Sequence, residues 1–284
     1  MRRRITLLAG LAVFATAGVA SAQSYRTVVE SRQMNGERDL SVDIGFAAGH
    51  ILVAPAQGRE LYRLSMVYHE EFFRPDVRYR ESRNRLRAEL ESLSRHGNHD
   101  VDLDQQIDLA VSPSVALDLH LKFGAAEADI ELGGLSLTAG HIETGASKTT
   151  VRFSEPNRAV CESLRFEVGA AQFEALDLAN ARCRTIKLSG GVAEMLLDFT
   201  GEWSDAVQTD VEIEMGLGEV QLRFPEDLGV RLHVDRFLVG VDRSGFDKRG
   251  STYTSRNWDD VTTHIEIEID AVLGSIEVEW VPNG

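Results

Sequence analysis

Cysteine is scarce in this chain, with two among 284 residues. That excludes a disulfide-dense mini-fold and any zinc site built from cysteine alone. Basic residues are the minority, 30 Lys and Arg against 45 Asp and Glu, for a net charge of −15. Nucleic-acid binders gain affinity by displacing counterions with Lys and Arg, so this balance speaks against such a partner and against docking on an anionic membrane. Catalytic signatures are missing too. There is no Gly-x-Ser-x-Gly elbow. The stretch from Gly140 to Ser147 has the glycine spacing of a phosphate loop, but Ala146 stands where the lysine must be. His69-Glu70-Glu71 opens like a metalloprotease helix, and Phe73 replaces the second histidine. His96, His99, Asp100, Asp102 and Asp104 are the densest set of possible ligands, yet they lack the glycine and distal Glu of a calcium loop and read as a solvated acidic face. The sequence therefore calls for no metal and no cofactor. What it has in quantity is apolar residues, at 43%, enough for a large packed core.

Arg2, Arg3 and Arg4 precede an apolar and small-residue stretch, Ile5 to Ala20, and Ala20-Ser21-Ala22 has a cleavage-site pattern. Residues 1–22 read as a secretory signal peptide. No later run approaches a membrane-spanning length, so the mature chain is expected in the periplasm or outside the cell of a bacterium.

Residues 23–111 alternate with period two at Leu40-Val42-Ile44-Phe46, at Tyr62-Leu64-Met66-Tyr68, at Val77-Tyr79 and at Leu86-Ala88-Leu90. This predicts half-buried strands, interrupted over 45–49. Polar residues 96–104 read as a loop or boundary.

Over 112–284 a glycine recurs at 124, 145, 169, 191, 216, 240 and 274. Three residues before each stand Leu121, Ile142, Phe166, Leu188, Ile213, Phe237 and Ala271; six after stand Ile130, Val151, Ala175, Leu197, Leu222, Phe246 and Trp280. All are apolar. Two short alternating strands joined at a glycine, repeating every 20–25 residues, predict a β-solenoid whose stacked coils share one core. The fold class is all-β, a single solenoid preceded by a β-rich portion. The long final interval predicts a projecting loop over 244–259. The strands Ile265–Ile269 and Ile276–Trp280 are expected to form the terminal coil, with outward Glu guarding its free edge.

Cys161 and Cys183 each lie eight residues before a repeat glycine, Gly169 and Gly191. Equivalent positions on neighbouring coils sit about 4.8 Å apart, inside the range a disulfide accepts. A disulfide is expected.

Val42-Asp-Ile-Gly-Phe46 and Gly49-His-Ile-Leu-Val53 resemble the N-terminal domain of toast-rack proteins. Leu117-Asp-Leu119, Phe123-Gly-Ala-Ala126, Asp129-Ile-Glu-Leu132 and Gly145-Ala-Ser147 are similar to its repeat, and Gly245-Phe246, Gly250, Tyr253, Ser255, Trp258 and Gly274-Ser-Ile-Glu-Val278 to its closing segment. The resemblance extends to the C-terminal domain of LiaF-type cell-wall-active-antibiotic response proteins. It implies a domain that acts without catalysis, in envelope-stress signalling through protein contacts. LiaF-type proteins carry N-terminal membrane helices, where this chain reads as carrying a cleavable signal.

The expected function is thus a non-enzymatic envelope scaffold with an unidentified envelope protein as partner. A surface adhesin and a polysaccharide-active enzyme are the alternatives. The candidate contact loop holds Arg243, Phe246, Lys248, Arg249, Tyr253, Arg256 and Trp258, a mix of arginine and aromatics enriched at interfaces. Its aromatics serve equally well to cap the last coil.

Overall fold

Alternation sets the strands, and glycine sets where they turn. The computed structural model describes residues 25–93, 105–204 and 207–282. The expected signal peptide and the His96–Asp104 cluster lie outside the described residues. The described residues form a 16-stranded sheet. Before the repeats come β1 (Tyr25–Gln33), β2 (Asp39–Pro55), β3 (Glu60–His69), β4 (Phe73–Arg80), β5 (Arg85–Ser92) and β6 (Gln106–Val111). The repeats follow as β7 (Ala116–Glu131), β8 (Ser136–Thr144), β9 (Ser147–Arg152), β10 (Cys161–Leu176), β11 (Cys183–Asp198) and β12 (Asp210–Pro225). Last come β13 (Gly229–Val241), β14 (Phe246–Arg249), β15 (Thr252–Ser255) and β16 (His264–Val281).

Each coil is one long strand bent at its middle, or two short ones, and neighbouring coils pair in parallel. Inward residues such as Leu164, Phe166 and Phe173 of β10 are fully buried, and the coils share a continuous apolar core. Coil geometry already holds in β2, which pairs with β7 from Asp39 to Val53. The interruption expected over 45–49 is therefore a corner within one strand. At the near end β5 and β6 pair with the two halves of β2, and β4, β3 and β1 extend them as antiparallel strands.

Two expectations about the far end are corrected. First, β16 is not the terminal coil. It lies between β12 and β13, parallel to both. Its outward Glu266 meets Arg231 at 2.7 Å and lies 3.8 Å from His233, and Glu279 meets Arg223 at 2.8 Å, so these two acids pair with neighbouring coils instead of guarding an edge. Second, 244–259 is not a projecting loop. β14 and β15 form an antiparallel hairpin, and β15 pairs with β13 over Arg231–His233.

The register also revises the repeat. The corner column runs Ala47, Gly124, Gly145, Gly169, Gly191 and Gly216, then continues to Val272 and Phe237, not to Gly274 and Gly240. Glycine is needed where coils crowd: a Cβ on Gly216 would come within 2.7 Å of the Gly191 carbonyl oxygen. Gly274 instead stacks on Gly218, two positions past the corner, and both hold positive φ, +140° and +141°.

Cys161 and Cys183 face each other on β10 and β11, with Cα atoms 4.2 Å apart, and are joined as a disulfide. Both are buried. The double substitution Cys161→Ala/Cys183→Ala is expected to cost about 3 kcal/mol by releasing a loop of this size in the unfolded chain. Thermal unfolding followed by circular dichroism should show a Tm lower by about 6–9 °C. An unchanged Tm would mean that coil stacking already supplies the whole restraint.

Candidate contact surface

The outer faces of the coils are mostly polar, because every second residue of a half-buried strand points to water. Opposite charges meet across coils there: Lys122 with Glu143, Lys187 with Glu212, and Arg223 with Asp198 at 3.1 Å and Glu279 at 2.8 Å. The exposed pairs Lys122–Glu143 and Lys187–Glu212 are each worth at most about 1 kcal/mol, whereas Asp198 is buried beneath Arg223.

One stripe departs from this. In the column just past the corner, Ala146, Ala170, Val192, Leu217, Leu273 and Leu238 follow one another from coil to coil. All are exposed, the last four at 55%, 41%, 44% and 62%. At the corner itself Val272 and Phe237 are 56% and 78% exposed. The corner prevents these residues from turning inward. In the adjoining straight segments parity returns apolar residues such as Met215 and Val220 to the core.

On the other side of the corner, two residues before it, a row of acids runs in register. Glu143, Glu167, Glu214, Asp270 and Asp235 occupy it, with Ser189 in β11. Glu143 is paired with Lys122, and Glu167 lies 3.1 Å from His141 Nε2. Glu214 accepts a hydrogen bond from Ser189 Oγ at 3.3 Å. Glu214, Asp270 and Asp235, on three successive coils, have no ion-pair partner among the described residues. Between the acids and the corner lies a groove of about 970 Å³ floored by Gly169, Gly191 and Gly216. Val272 and Phe237 close its far end, next to Arg236, whose guanidinium donates to the Val239 carbonyl of its own strand.

The residues of the expected contact loop divide. Phe246 and Tyr253 are buried at 5% and 1% exposure and close the core at the end of the stack. Phe246 packs on Trp280, ring centroids 5.4 Å apart, and Trp280 Nε1 donates to the Ser244 carbonyl at 3.0 Å. Trp258 lies under the Arg231 guanidinium, 3.9 Å from its ring centre. Lys248 sits over the Tyr253 ring at 4.9 Å. Arg243, Lys248, Arg249 and Arg256 are exposed. The hairpin starts from Asp242, whose carboxylate accepts bonds from the Ser244 amide and hydroxyl. Those bonds hold it below the usual carboxylate range. His69 is buried among Tyr25 and Phe72.

Sequence reasoning missed the ridge because an exposed apolar residue and a core residue look alike in one dimension. The available signal was phase: Val192 and Leu217 sit directly after a corner glycine, out of step with the alternation on either side.

Residues 19–162 match the family described as the N-terminal domain of toast_rack, DUF2154. No curated protein matches the chain. Among solved structures, a candidate cell adhesion protein from Clostridium sporogenes is similar at 16% identity, covering 91% of this chain and 100% of its own, with a TM-score of 0.47. A candidate adhesin from Bacteroides fragilis shares 12% identity over 92% of this chain and 100% of its own, with a TM-score of 0.44. A candidate lipid-binding protein from Parabacteroides distasonis shares 11% over 89% and 96%, with a TM-score of 0.35.

Proposed function

The chain belongs to the toast-rack family, and on that premise we propose that it is an exported, non-enzymatic envelope protein whose solenoid is an interaction scaffold. In this reading it is an accessory in the response to cell-envelope stress, of the LiaF-like kind. The observation that carries the proposal is the apolar ridge from Val192 to Leu238, set on outer faces that are otherwise mostly polar. Contiguous exposed apolar surface of this kind marks interaction sites in folded proteins. The disulfide supports an oxidising compartment, outside the cytoplasm. Among the described residues no helix is long and apolar enough to cross a membrane. The exposed Arg243, Lys248, Arg249 and Arg256 of the hairpin provide a second, basic contact patch.

The test is a photo-crosslinking side chain placed at Leu217, at Leu238 and, as a control on β3 at the near end of the sheet, at Arg63. In living cells under wall stress, the first two positions are expected to yield the same envelope-protein adduct and the third none. Replacing Lys248, Arg249 and Arg256 with serine should lower the yield without changing Tm. Equal labelling at all three positions, or none at any, would sink the scaffold reading.

A further inference from the structure

We infer that the hollow beside Trp203 and Trp258 binds an uncharged saccharide, with a sugar ring resting on the Trp203 indole and its hydroxyls on the polar groups of the rim. The site uses none of the ridge residues and so stands or falls separately from the scaffold reading. It starts from the sheet register. Asp210, the first residue of β12, lies opposite Glu266 near the start of β16. The residues leading into these two strands, Gln208-Thr209 and Thr262-Thr263, therefore come side by side around one hollow. Each segment also brings a half-buried tryptophan to it, Trp203 before β12 and Trp258 before β16.

The hollow holds about 480 Å³. A second, of about 350 Å³, shares Trp203 and Thr263 with it, so this indole borders both. Both volumes fall in the range of small-molecule sites, about 300–1,000 Å³. The walls are set by hydrogen bonds and ring contacts. Trp203 Nε1 donates to the Phe199 carbonyl at 3.2 Å. Trp258 is held by the Arg231 guanidinium, 3.9 Å from its ring centre, and by His264, whose Nε2 donates to the Trp258 carbonyl at 2.8 Å. Asn257 Nδ2 fastens the same segment to the turn before β13 through the carbonyls of Glu226 at 2.8 Å and Leu228 at 3.0 Å. Walls already fixed in the free protein spare a ligand the cost of ordering them.

The chemistry of the lining selects the ligand. Gln208, Asp210 and Thr262 of the first hollow and Asp227 of the second are exposed, and their side chains have no hydrogen-bond or ion-pair partner among the described residues. Carboxylates accept, while an amide and a hydroxyl both donate and accept. A row of neighbouring sugar hydroxyls needs that mixture. Among the described residues lining the two hollows there is no lysine or arginine. A phosphate, sulfate or uronate would therefore face carboxylates without a compensating charge. A quaternary ammonium is bound by a cage of rings, and here the Trp258 ring already carries Arg231, itself paired with Glu266 at 2.7 Å. A wholly apolar ligand would strip water from the polar rim and give it no partner. A pyranose meets both demands. Its C–H face suits the electron-rich face of an indole, and its hydroxyls donate to the Asp210 carboxylate in charge-assisted bonds.

The experiment titrates the purified, oxidised protein by calorimetry with three neutral trimers, cellotriose, maltotriose and the N-acetylglucosamine trimer. Trigalacturonate and choline are the charged comparisons. At least one neutral trimer is expected to bind with a Kd of about 1 mM or tighter, and both charged probes at least about tenfold more weakly. Trp203→Ala and, separately, Gln208→Ala/Asp210→Ala should each weaken binding about tenfold or more. Trp203→Phe, which keeps an aromatic face, should recover part of the loss. Leu217→Ser/Leu238→Ser on the ridge should change it less than about twofold. Circular dichroism confirms that all variants are folded, and the exposed Gln208/Asp210 pair tests the site even where the tryptophan variant is unstable. No binding of any neutral trimer up to about 10 mM, tighter binding of trigalacturonate or choline, or an affinity that both sets of alanine variants leave unchanged would each overturn the inference. Crosslinks from Leu217 and Leu238 to an envelope protein without saccharide binding would leave the scaffold reading intact and reject only the saccharide site.

Discussion

Gly274→Val is expected to lower Tm by more than about 10 °C, whereas Gly240→Val should leave it nearly unchanged. In the sequence the two glycines look alike. In the structure Gly274 holds a φ of +140°, and a Cβ there would overlap the carbonyl oxygen of Gly218 in the coil beside it. A β-branched residue at that backbone angle costs about 1–3 kcal/mol. Pressing it into fixed backbone adds about 1–3 kcal/mol or more. The oxygen cannot yield, because Gly218 itself is held at +141° against Ala193. At Gly240 the nearest atom to an added Cβ is 4.0 Å away, so the cost stays within about 0.5 kcal/mol. Thermal unfolding of both variants by circular dichroism checks the pair. A Gly274→Val protein melting within about 2 °C of the parent would show that β16 is not seated as described.

Asn157→Ala is the second large effect, expected to cost about 3–4 kcal/mol. Asn157 is fully buried in the turn before β10. Its Oδ1 accepts the Leu137 amide at 2.8 Å, and its Nδ2 donates to the carbonyls of Leu137 at 2.8 Å, Ala159 at 2.9 Å and Ala181 at 3.2 Å. One amide thus ties together three successive coils. Alanine leaves the Leu137 amide and these carbonyls buried without that partner, and each such loss costs about 1–3 kcal/mol before relaxation. Asn157→Asp is expected to be worse at neutral pH, since a carboxylate would face carbonyl oxygens. Burial and those dipoles raise the carboxyl's pKa in the folded state. The penalty is full above that raised pKa and shrinks as pH falls through it. Denaturant melts at neutral and acidic pH should therefore converge toward the alanine variant from below. A pH-independent gap would contradict the assigned geometry.

How much of this was legible beforehand depended on whether a feature is local. Alternation at Leu40–Phe46 and Tyr62–Tyr68 correctly marks β2 and β3, because core-facing residues must recur every two positions. The glycines from 124 to 216 mark true corners, and equal spacing in sequence placed Cys161 opposite Cys183. The scheme fails once chain order and stacking order part. Spacing counted from Gly240 assumed that the next strand stacks beyond β13, whereas β16 inserts before it. A pairwise comparison carried the missing signal: Val211-Glu-Ile-Glu-Met215 aligns with Ile267-Glu-Ile-Asp-Ala271, and Gly218-Glu-Val with Gly274-Ser-Ile, the partners seen in the sheet. The asparagine ties left no such trace. Asn157 and Asn180, whose Nδ2 donates to the Phe153 carbonyl at 2.8 Å, bond backbone groups, and no pattern of side chains records those. The ridge was hidden for a different reason, that apolar character alone does not say which way a side chain points at a bend.

The insertion of β16 between β12 and β13 also bears on how the fold is reached. From β7 to β12 each coil can settle on one already made, so assembly can keep pace with the emerging chain. β13 breaks that sequence. When it appears, the strand that will flank it has not yet been made, so its apolar residues lack the neighbour they have in the finished sheet. β16 then slips into the gap, joining β12 along Asp210–Pro225 and β13 along Gly229–Val241. The stack is latched by a strand threaded backwards into it. Proteolysis or truncation that removes β16 would thus leave two separated apolar edges rather than merely a shorter solenoid.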